Sequence, residues 1–370
     1  MENSWKHIRL GDACDIINGR NQKAVEDPSG DYPIYGSGGV MGYANSYLCK
    51  GGSTIIGRKG TINRPLFVEK NFWNVDTAFG LSPKPVILPR FLFFICKNIN
   101  WLKYNKSTTL PSLVKSDLLQ IPICIPDLDE QRHIVDELDL LTSIIDKKNA
   151  QLRDLDSLAQ SIFYEIFGDP ISNEKGWPIK YVGEFADVTD YVANGSFATL
   201  RENVSYKSEP DYAILVRLAD FSNAFDRSKF VYVDKHAYDF LAKSKLFGGE
   251  IIMSNVGSVG KSFICPDLGQ PMSLAPNSIV IKTPNNIYSY ACFQMPSFQL
   301  AIKGITSQTA LPKFNKTEFK KIKVICPPAE MQAQYEERWK AIQRQRERIE
   351  ASLRDAQALL DSRMDYYFND

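Results

Sequence analysis

The residues best suited to chemistry lie in one short polar turn, residues 57–64, with the sequence G-R-K-G-T-I-N-R. Arginine can donate two hydrogen bonds to the edge of guanine, and asparagine pairs similarly with adenine. Lysine and threonine commonly bind phosphate. The turn therefore predicts contacts with DNA, although a hairpin with an exposed polar tip explains it equally well. The candidate DNA-binding residues are Arg58, Lys59, Thr61, Asn63 and Arg64.

A second turn repeats the first with different side chains. Residues 248–259 align with residues 51–62 without a gap, so that Gly257 matches Gly60 while most polar positions change. Two different polar tips on one scaffold are the pattern expected for the recognition of two DNA sequences, and two hairpin turns with exposed polar tips explain it equally well. The candidates in this turn are Ser254, Asn255, Ser258 and Lys261.

Another pair of polar loops precedes a Leu-Pro step in each half of the chain, at residues 110–111 and 311–312. Hydroxyl and amide side chains in such loops can bind phosphate or base edges. A plain Ser/Thr loop is an equally good explanation. The candidates are Ser107, Thr108, Gln308 and Thr309.

The sequence contains only incomplete versions of known catalytic motifs. Residues 257–262 (G-S-V-G-K-S) are similar to a phosphate-binding loop, but Asn255 replaces its required first glycine. Asp267, Glu318 and Lys320 match a sparse nuclease pattern, for which a solvated strand edge is the simpler explanation. The chain has three histidines and no H-x-x-x-H pattern. We therefore expect no catalytic residue, no metal and no cofactor.

The elements that position these turns occur twice along the chain. Strand-like runs separated by glycine turns come first, then a helix-like segment (89–104 and 287–302), then an apolar strand that ends at a proline. From residue 108 to residue 169 the second copy follows at a constant offset of 201 residues. This indicates an internal duplication. The predicted strand runs are 32–34, 53–56, 66–69, 78–81, 213–218, 230–234, 250–253 and 278–282.

A long helix closes each copy. Apolar residues from Ile134 onward alternate at spacings of four and three, which is the heptad pattern of a coiled coil. A second seam lies 201 residues later, and polar residues interrupt both: Lys148 in the first, Arg346 and Arg363 in the second. The shared register predicts that the two helices pair. The principal seam residues are Ile134, Leu138, Leu141, Ile145, Leu152, Leu155, Trp339, Ile342, Ile349, Leu353 and Leu360.

Charge follows the same division of the chain. Residues 1–127 carry 15 Lys and Arg against 10 Asp and Glu, and residues 171–327 carry 18 against 14. The segments 128–170 and 328–370 carry 4 against 10 and 7 against 9. We therefore predict two mildly basic globular domains, 1–127 and 171–327, and two acidic helical segments, 128–170 and 328–370. Basic domains suit contact with phosphate, and acidic helices suit contact with protein.

The cellular compartment of the protein is predicted from the absence of targeting, membrane-spanning and disulfide patterns in the sequence. Residues 1–9 have no apolar signal core, and the longest apolar run, residues 91–96, is far too short to cross a bilayer. Seven cysteines without a C-x-x-C pair argue against a disulfide framework or a zinc site. We expect a soluble, cytoplasmic protein with no membrane partner.

The chain resembles the specificity (S) subunit of type I restriction–modification systems over essentially its whole length. The resemblance rests on Y-G-S-G-G-V-M-G-Y at residues 35–43, I-G-R-K-G-T-I at 56–62 and F-W-N-V-D-T at 72–77. It also rests on the helix entry from Pro126 to Gln131, its weaker copy at residues 327–332 and the duplicated order of domain and helix.

The resemblance implies an α+β fold with two mixed α/β target recognition domains, separated by two long antiparallel coiled-coil helices. Each domain is expected to bind one half of a bipartite double-stranded DNA target. The helices are expected to set the spacing, with half-site centres about one to two turns apart at ~34–36 Å per turn. The seam helices are also expected to dock two methyltransferase (M) subunits, restriction (R) subunits completing the complex. Methylation and cleavage are then the work of these partners, and this chain is a non-catalytic subunit.

Two other functions stay open at this stage. One is a stand-alone nuclease using Asp267, Glu318 and Lys320. The other is a protein-interaction scaffold whose globular domains bind proteins rather than DNA.

Overall fold

β-Branched and aromatic residues form the strands that carry both polar turns. The computed structural model describes residues 5–369, and the chain forms two units. Unit 1 contains the residues up to 150 together with those from 350 onward, and unit 2 contains residues 151–349. Each unit therefore combines one globular body with part of each long helix.

Unit 1 begins with a strand and leads into the first long helix, part of which belongs to unit 2. Its elements are β1 (Lys6–Arg9), α1 (Leu10–Ala13), β2 (Cys14–Asn18), β3 (Tyr32–Gly36), β4 (Gly39–Ala44), β5 (Ser53–Gly57), β6 (Leu66–Val68), β7 (Trp73–Asn74), β8 (Ala78–Pro83), α2 (Pro89–Asn98), a 3-10 helix (Trp101–Tyr104), α3 (Lys115–Leu118), β9 (Pro122–Ile125) and α4 (Leu128–Phe167).

Unit 2 follows the same plan with more elements, and its last helix continues into unit 1. Its elements are β10 (Ile179–Tyr181), α5 (Val182–Phe185), β11 (Asp187–Asp190), α6 (Phe197–Asn203), β12 (Ala213–Val216), α7 (Leu218–Ser222), β13 (Tyr232–Val233), α8 (Lys235–Phe240), β14 (Lys245–Leu246), β15 (Ile251–Ser254), β16 (Ser262–Ile264), β17 (Met272–Leu274), β18 (Ser278–Lys282), α9 (Asn286–Gln294), α10 (Pro296–Gly304), α11 (Lys316–Lys320), β19 (Lys323–Ile325) and α12 (Ala329–Phe368), with 3-10 helices at Tyr191–Asn194, Arg227–Lys229 and Ala242–Ser244.

The two units share their sheet topology. The main sheet of unit 1 has the strand order β2-β8-β5-β6, and that of unit 2 has the order β11-β18-β15-β16, both antiparallel. The inner strands β5 and β15 are buried along their whole length, which suits their isoleucine content. A second sheet, β4-β3-β7 in unit 1 and β13-β12-β17-β14 in unit 2, contains one parallel pair in each case. The α+β fold class and the duplication are confirmed.

Several predicted element boundaries were wrong. The helix predicted at residues 287–302 is two helices, because Pro296 lacks an N–H and holds Met295 in an extended conformation at the start of α10. The helix predicted at 89–104 ends at Asn98 and is followed by a 3-10 turn. The strand predicted at 213–218 stops at Val216, because Leu218 begins a short helix.

The long helices α4 and α12 each contain 40 residues, or about 60 Å at 1.5 Å per residue. Asp127 is the N-cap of α4, because its Oδ1 atom accepts hydrogen bonds from the backbone N–H groups of Asp129 and Glu130. The start of α12 follows Pro327 and Pro328, and the Pro328 carbonyl accepts from the N–H groups of Met331 and Gln332.

Within each unit, segments of the two helices pack in opposite directions. In unit 1, Ile134, Leu138 and Leu141 of α4 share a buried core with Leu360 of α12. In unit 2, Phe163 of α4 meets Tyr335 of α12, with the rings perpendicular and 5.5 Å apart between centroids. The early part of α4 thus contacts the late part of α12 in unit 1, and the reverse holds in unit 2. The shared register predicted that the two helices pair, and the antiparallel direction is the one that the family resemblance implied.

Candidate nucleic-acid interface

In unit 1 the two predicted polar patches lie side by side. The N–H of Gly60 donates to the Pro111 carbonyl, and the N–H of Leu113 donates to the Arg58 carbonyl, each at 2.9 Å. Lys59 and Ser112 form an antiparallel bridge between the same two segments. The turn after β5 and the loop before α3 therefore form one structure, which we call tip 1 (residues 58–64 and 105–113).

Unit 2 builds the same structure. The N–H of Gly257 donates to the Pro312 carbonyl at 2.9 Å, and the N–H of Phe314 donates to the Asn255 carbonyl at 3.1 Å. Val256 and Lys313 form the equivalent bridge. We call this structure tip 2 (residues 254–261 and 306–314). The matched glycines Gly60 and Gly257 have φ values of +81° and +78°, a conformation in which any other residue is strained.

The side chains of tip 1 differ in exposure. Lys59, Thr61, Asn63, Arg64 and Thr108 are exposed, whereas Arg58 and Ser107 are half-buried. The guanidinium of Arg58 lies 5.8 Å from the centre of the Phe79 ring, and its Nη1 atom is 3.4 Å from the Asp76 carbonyl. Asn63 also has a structural role, since its Oδ1 atom accepts from the N–H of Trp101 at 3.1 Å. Arg58 is thus oriented by the fold, while Lys59 and Arg64 extend into solvent.

Tip 2 places its predicted residues less uniformly. Ser258, Lys261, Gln308 and Thr309 are exposed, but Ser254 is buried and its hydroxyl donates to the Val256 carbonyl at 3.0 Å. Asn255 is half-buried, with its Nδ2 atom 3.4 Å from the Phe314 carbonyl. The Nζ atom of Lys261 lies 3.2 Å from the Ser222 hydroxyl of α7. In this tip the accessible polar groups are therefore Ser258, Lys261 and the loop residues.

Sequence reasoning missed several exposed or pocket-lining residues near the tips. Leu110 and Leu311 occupy equivalent loop positions and are more than half exposed. The β3–β4 hairpin exposes Val40 and Met41 in the same way. Lys115 lines a pocket beside tip 1, and its equivalence to Lys316 at the offset of 201 was a signal that could have identified it.

The predicted seam residues all face inward to some degree. Those that are buried are Ile134, Leu138, Leu141, Ile342 and Leu360, and those that are half-buried are Ile145, Leu152, Leu155, Trp339, Ile349 and Leu353. Two of the three polar interruptions are paired with acids on α4: Arg363 with Glu137 in unit 1, and Arg346 with Asp156 at 2.7 Å in unit 2.

The arginine pair in unit 1 has a third member. The hydroxyl of Tyr367 donates to Glu137 Oε2 at 2.6 Å, and Arg363 Nη2 donates to the same oxygen at 2.9 Å. The hydrogen bond from Arg363 is the main cause that lowers the pKa of Glu137, and the bond from Tyr367 adds to it. Burial, with the bond to Glu137, raises the pKa of Tyr367 to about 12. These groups hold α12 against α4 within unit 1.

Two of the three residues of the nuclease alternative, Asp267 and Glu318, have local structural partners. Asp267 Oδ1 accepts from the Gly269 N–H at 2.9 Å, and Glu318 pairs with Lys321 at 2.8 Å. Among residues 5–369, no group of three or more His, Cys, Asp and Glu side chains is arranged to hold a metal ion. Over the same residues, no helix is long and apolar enough to span a bilayer.

The comparisons with known proteins agree with this duplicated plan. The type I restriction modification DNA specificity domain matches the chain twice, at residues 2–155 and 174–353. A putative type I restriction enzyme specificity subunit of Haemophilus influenzae is 22% identical over 340 residues, covering 90% of this chain and 85% of the relative. The EcoDI specificity subunit of Escherichia coli is 20% identical over 352 residues, covering 88% and 78%.

Solved structures show the same fold. The type I restriction–modification S subunit from M. genitalium aligns with a TM-score of 0.60 and 15% identity, covering 100% of this chain and 97% of that one. A structure describing complex assembly and conformational transition of the type I system aligns with a TM-score of 0.51 and 16% identity, covering 98% and 96%. With the family model matched over both halves, the chain belongs to the type I restriction–modification DNA specificity family.

Proposed function

We propose that this chain is the DNA-specificity subunit of a type I restriction–modification complex in which tip 1 and tip 2 each bind one half of a bipartite target. The observation that carries the proposal is the same interlocked backbone in both units with different side chains on it. The proposal divides the chain into recognition domains at residues 1–127 and 171–327, with spacer segments at 128–170 and 328–370.

The differences between the tips support separate recognition of two sequences. Arg58 and Lys59 of tip 1 correspond to Asn255 and Val256 of tip 2. Arginine favours guanine and asparagine favours adenine in the major groove. Because the matching backbones are held by equivalent hydrogen bonds, a change of side chain alters what a tip recognises without altering how it is presented.

Electrostatics supports DNA as the partner. Both globular domains carry a net positive charge, +5 for residues 1–127 and +4 for residues 171–327. Neutralising phosphates with lysine and arginine supplies most of the sequence-independent affinity for DNA. We assign phosphate contacts to the exposed Lys59, Arg64 and Lys261, with Thr61, Ser107, Thr108, Ser258, Gln308 and Thr309 as neutral hydrogen-bonding groups.

The long helices are proposed to dock two M subunits. Their seam residues are turned inward, yet Leu140, Leu158 and Leu359 remain between 46% and 62% exposed on the outer faces. Exposed leucines on acidic helices suit a protein partner better than they suit DNA. In this proposal the chain catalyses no reaction and holds no cofactor, the M and R subunits carry the chemistry, and the complex acts on DNA in the cytoplasm.

Genome-wide mapping of methylated adenines tests this function. A strain lacking adenine methylation would express the chain together with its M subunits, and the modified positions would be aligned. We expect one consensus with two specified parts separated by a spacer of fixed length. Methylation without a two-part consensus would contradict the proposal, and a strain with the M subunits alone is the control.

A further inference from the structure

A cationic pocket lies directly beside tip 1. It has a volume of about 270 Å³ and is lined by Asn18, Arg58, Phe79, Leu113, Val114, Lys115 and Ser116. Asn18 is the last residue of β2 and pairs with Phe79 of β8, so that the pocket opens at the end of the main sheet. The two charged lining residues, Arg58 and Lys115, are both cations.

Within residues 5–369, the side chains of Arg58 and Lys115 contact backbone carbonyl oxygens and form no salt bridge. Lys115 Nζ donates to the Ile16 carbonyl at 2.5 Å, and one Arg58 nitrogen contacts the Asp76 carbonyl at 3.4 Å. Carbonyl oxygens orient an ammonium or a guanidinium but leave its charge in place. A guanidinium has five N–H donors, and the Asn18 amide adds neutral donors to the same pocket.

The equivalent position in unit 2 is neutralised. The strand register places Asp190 opposite Ile279, as Asn18 lies opposite Phe79. Lys316 corresponds to Lys115, and its Nζ atom binds Asp190 Oδ1 at 2.9 Å. Arg58 is replaced by Asn255. The same place in the fold is therefore cationic in unit 1 and occupied by an internal ion pair in unit 2.

We propose that the pocket of Asn18, Arg58 and Lys115 is a phosphate site for the DNA backbone, present beside tip 1 and absent beside tip 2. The inference rests on the proposed function, because it takes DNA as the ligand of the tips. Its chemistry is that of an arginine and a lysine with no carboxylate among the lining side chains, which is suited to a phosphate oxygen. The DNA backbone of the first half-site then makes one more phosphate contact with the protein than the backbone of the second half-site does.

The exchange of Asn18 and Asp190 tests this site. Asn18→Asp introduces the ion pair of unit 2 into unit 1 with little change in shape. Asp190→Asn releases Lys316, and asparagine can still cap the following 3-10 helix, in which Asp190 accepts from the Ala193 N–H at 2.9 Å. Asn21→Asp is the matched control, because it adds the same charge to an exposed residue of unit 1 that does not line the pocket.

The measurement is the affinity of the full chain with its M subunits for a mixed-sequence duplex across a range of salt concentrations. We expect Asn18→Asp to reduce the slope of log K against log salt by about 0.9, one phosphate contact, and to weaken binding about tenfold. Asp190→Asn should steepen the slope, and Asn21→Asp should leave it unchanged. Equal slopes for Asn18→Asp and Asn21→Asp would overturn the inference.

Two further results separate the possible causes of failure. No DNA binding by the unmodified complex contradicts the proposed function itself rather than this site. If inorganic phosphate raises the Tm of the unmodified chain but not of Asn18→Asp, while the salt slopes agree, the pocket binds free phosphate and the assignment to DNA is wrong.

Discussion

The two units attach their long helices to their globular bodies with unequal strength. In unit 1, Gln131 is fully buried and makes three hydrogen bonds, accepting from the Leu88 N–H and donating to the Val86 and Pro126 carbonyls. In unit 2, the equivalent Gln332 is half-buried and donates to the Pro327 carbonyl at 2.8 Å. The duplicated copies thus keep the same backbone plan but differ in the side chains that join helix to body.

The polar contacts between the two long helices also differ between the units, and those of unit 1 are the less exposed to solvent. Arg363 in unit 1 shares Glu137 with Tyr367, and the side chains of Glu137 and Arg363 are 28% and 35% exposed. Arg346 in unit 2 binds Asp156, whose side chain is 60% exposed. A solvated ion pair contributes little, whereas a network shielded from water contributes more. We therefore expect the contacts of Glu137 with Arg363 and Tyr367 to stabilise the helix pairing more than the contact between Arg346 and Asp156 does.

The largest effect is expected at Gln131. Gln131→Ala empties a fully buried side-chain position and leaves the half-buried Leu88 N–H and two carbonyls without this partner, which should lower the free energy of unfolding by about 3 kcal/mol. Gln332→Ala should cost about 1 kcal/mol, because it removes one recorded bond at a less buried site. Urea unfolding measures both losses, and hydrogen exchange at Leu88 should accelerate in the first variant. Equal losses of unfolding free energy in the two variants would contradict the predicted difference between the starts of α4 and α12.

Arg58→Ala is expected to affect one half-site. Arg58 is proposed to contact both a base and the neighbouring phosphate site. Loss of its bidentate base contact costs about 2 kcal/mol of sequence discrimination, or roughly thirtyfold, whereas loss of its phosphate contact weakens binding to all duplexes alike. Competition between duplexes altered in the first or the second half of the target would show the effect, with Asn255→Ala as the reciprocal variant. Equal loss of discrimination at both halves would contradict separate recognition by the two tips.

A smaller difference is expected between the two arginine pairs. Arg363→Met should lower the free energy of unfolding by about 1.5 kcal/mol, since Glu137 loses its charged partner at a partly buried position. Arg346→Met should cost less than about 0.5 kcal/mol, because Asp156 is solvated. Urea denaturation of both variants measures the two values. A larger loss of unfolding free energy for Arg346→Met than for Arg363→Met would contradict this prediction.

The smallest predicted effect is a pH dependence at Glu137. Its pKa in the folded protein is lowered from the ordinary value of 4.5, chiefly by Arg363. The unfolded chain therefore binds a proton before the folded one does as the pH falls, so that stability decreases with acidification. The stability difference between the unmodified chain and Glu137→Gln should be complete above pH 4.5 and shrink as the pH falls through the lowered pKa. Urea midpoints at a series of pH values measure it, and a difference that stays constant would refute the assignment.

Much of the fold was predictable because its signals are local or repeated. The inner strands β5 and β15 are short apolar runs bounded by glycine, and both were predicted within one residue at each end. The interruption of the helix at Pro296 could also have been predicted from the sequence, since proline and the residue before it have restricted conformations. The two-residue strands, such as Trp73–Asn74, carry too few residues to display any periodicity.

The candidate site was less predictable, because whether a polar residue is free to bind DNA depends on which residues lie next to it in the folded chain. Ser254 and Ser258 stand four positions apart in one turn, yet the first is buried and the second exposed. Asn18 precedes the polar residues 20–23, which do not line the pocket, and it reaches the pocket through its pairing with Phe79, 61 positions along the chain. No local rule distinguishes these outcomes.

The sequence by itself determined the duplication, the α+β class, the paired long helices and the family, because spacing, composition and repeated motifs are properties of neighbouring residues. The tertiary structure decided which segments meet: the turn at Lys59 with the loop at Ser112, Arg363 with Glu137, and Lys316 with Asp190. Such contacts join residues far apart in the chain, and their energies depend on burial and distance. Those two quantities exist only once the chain has folded.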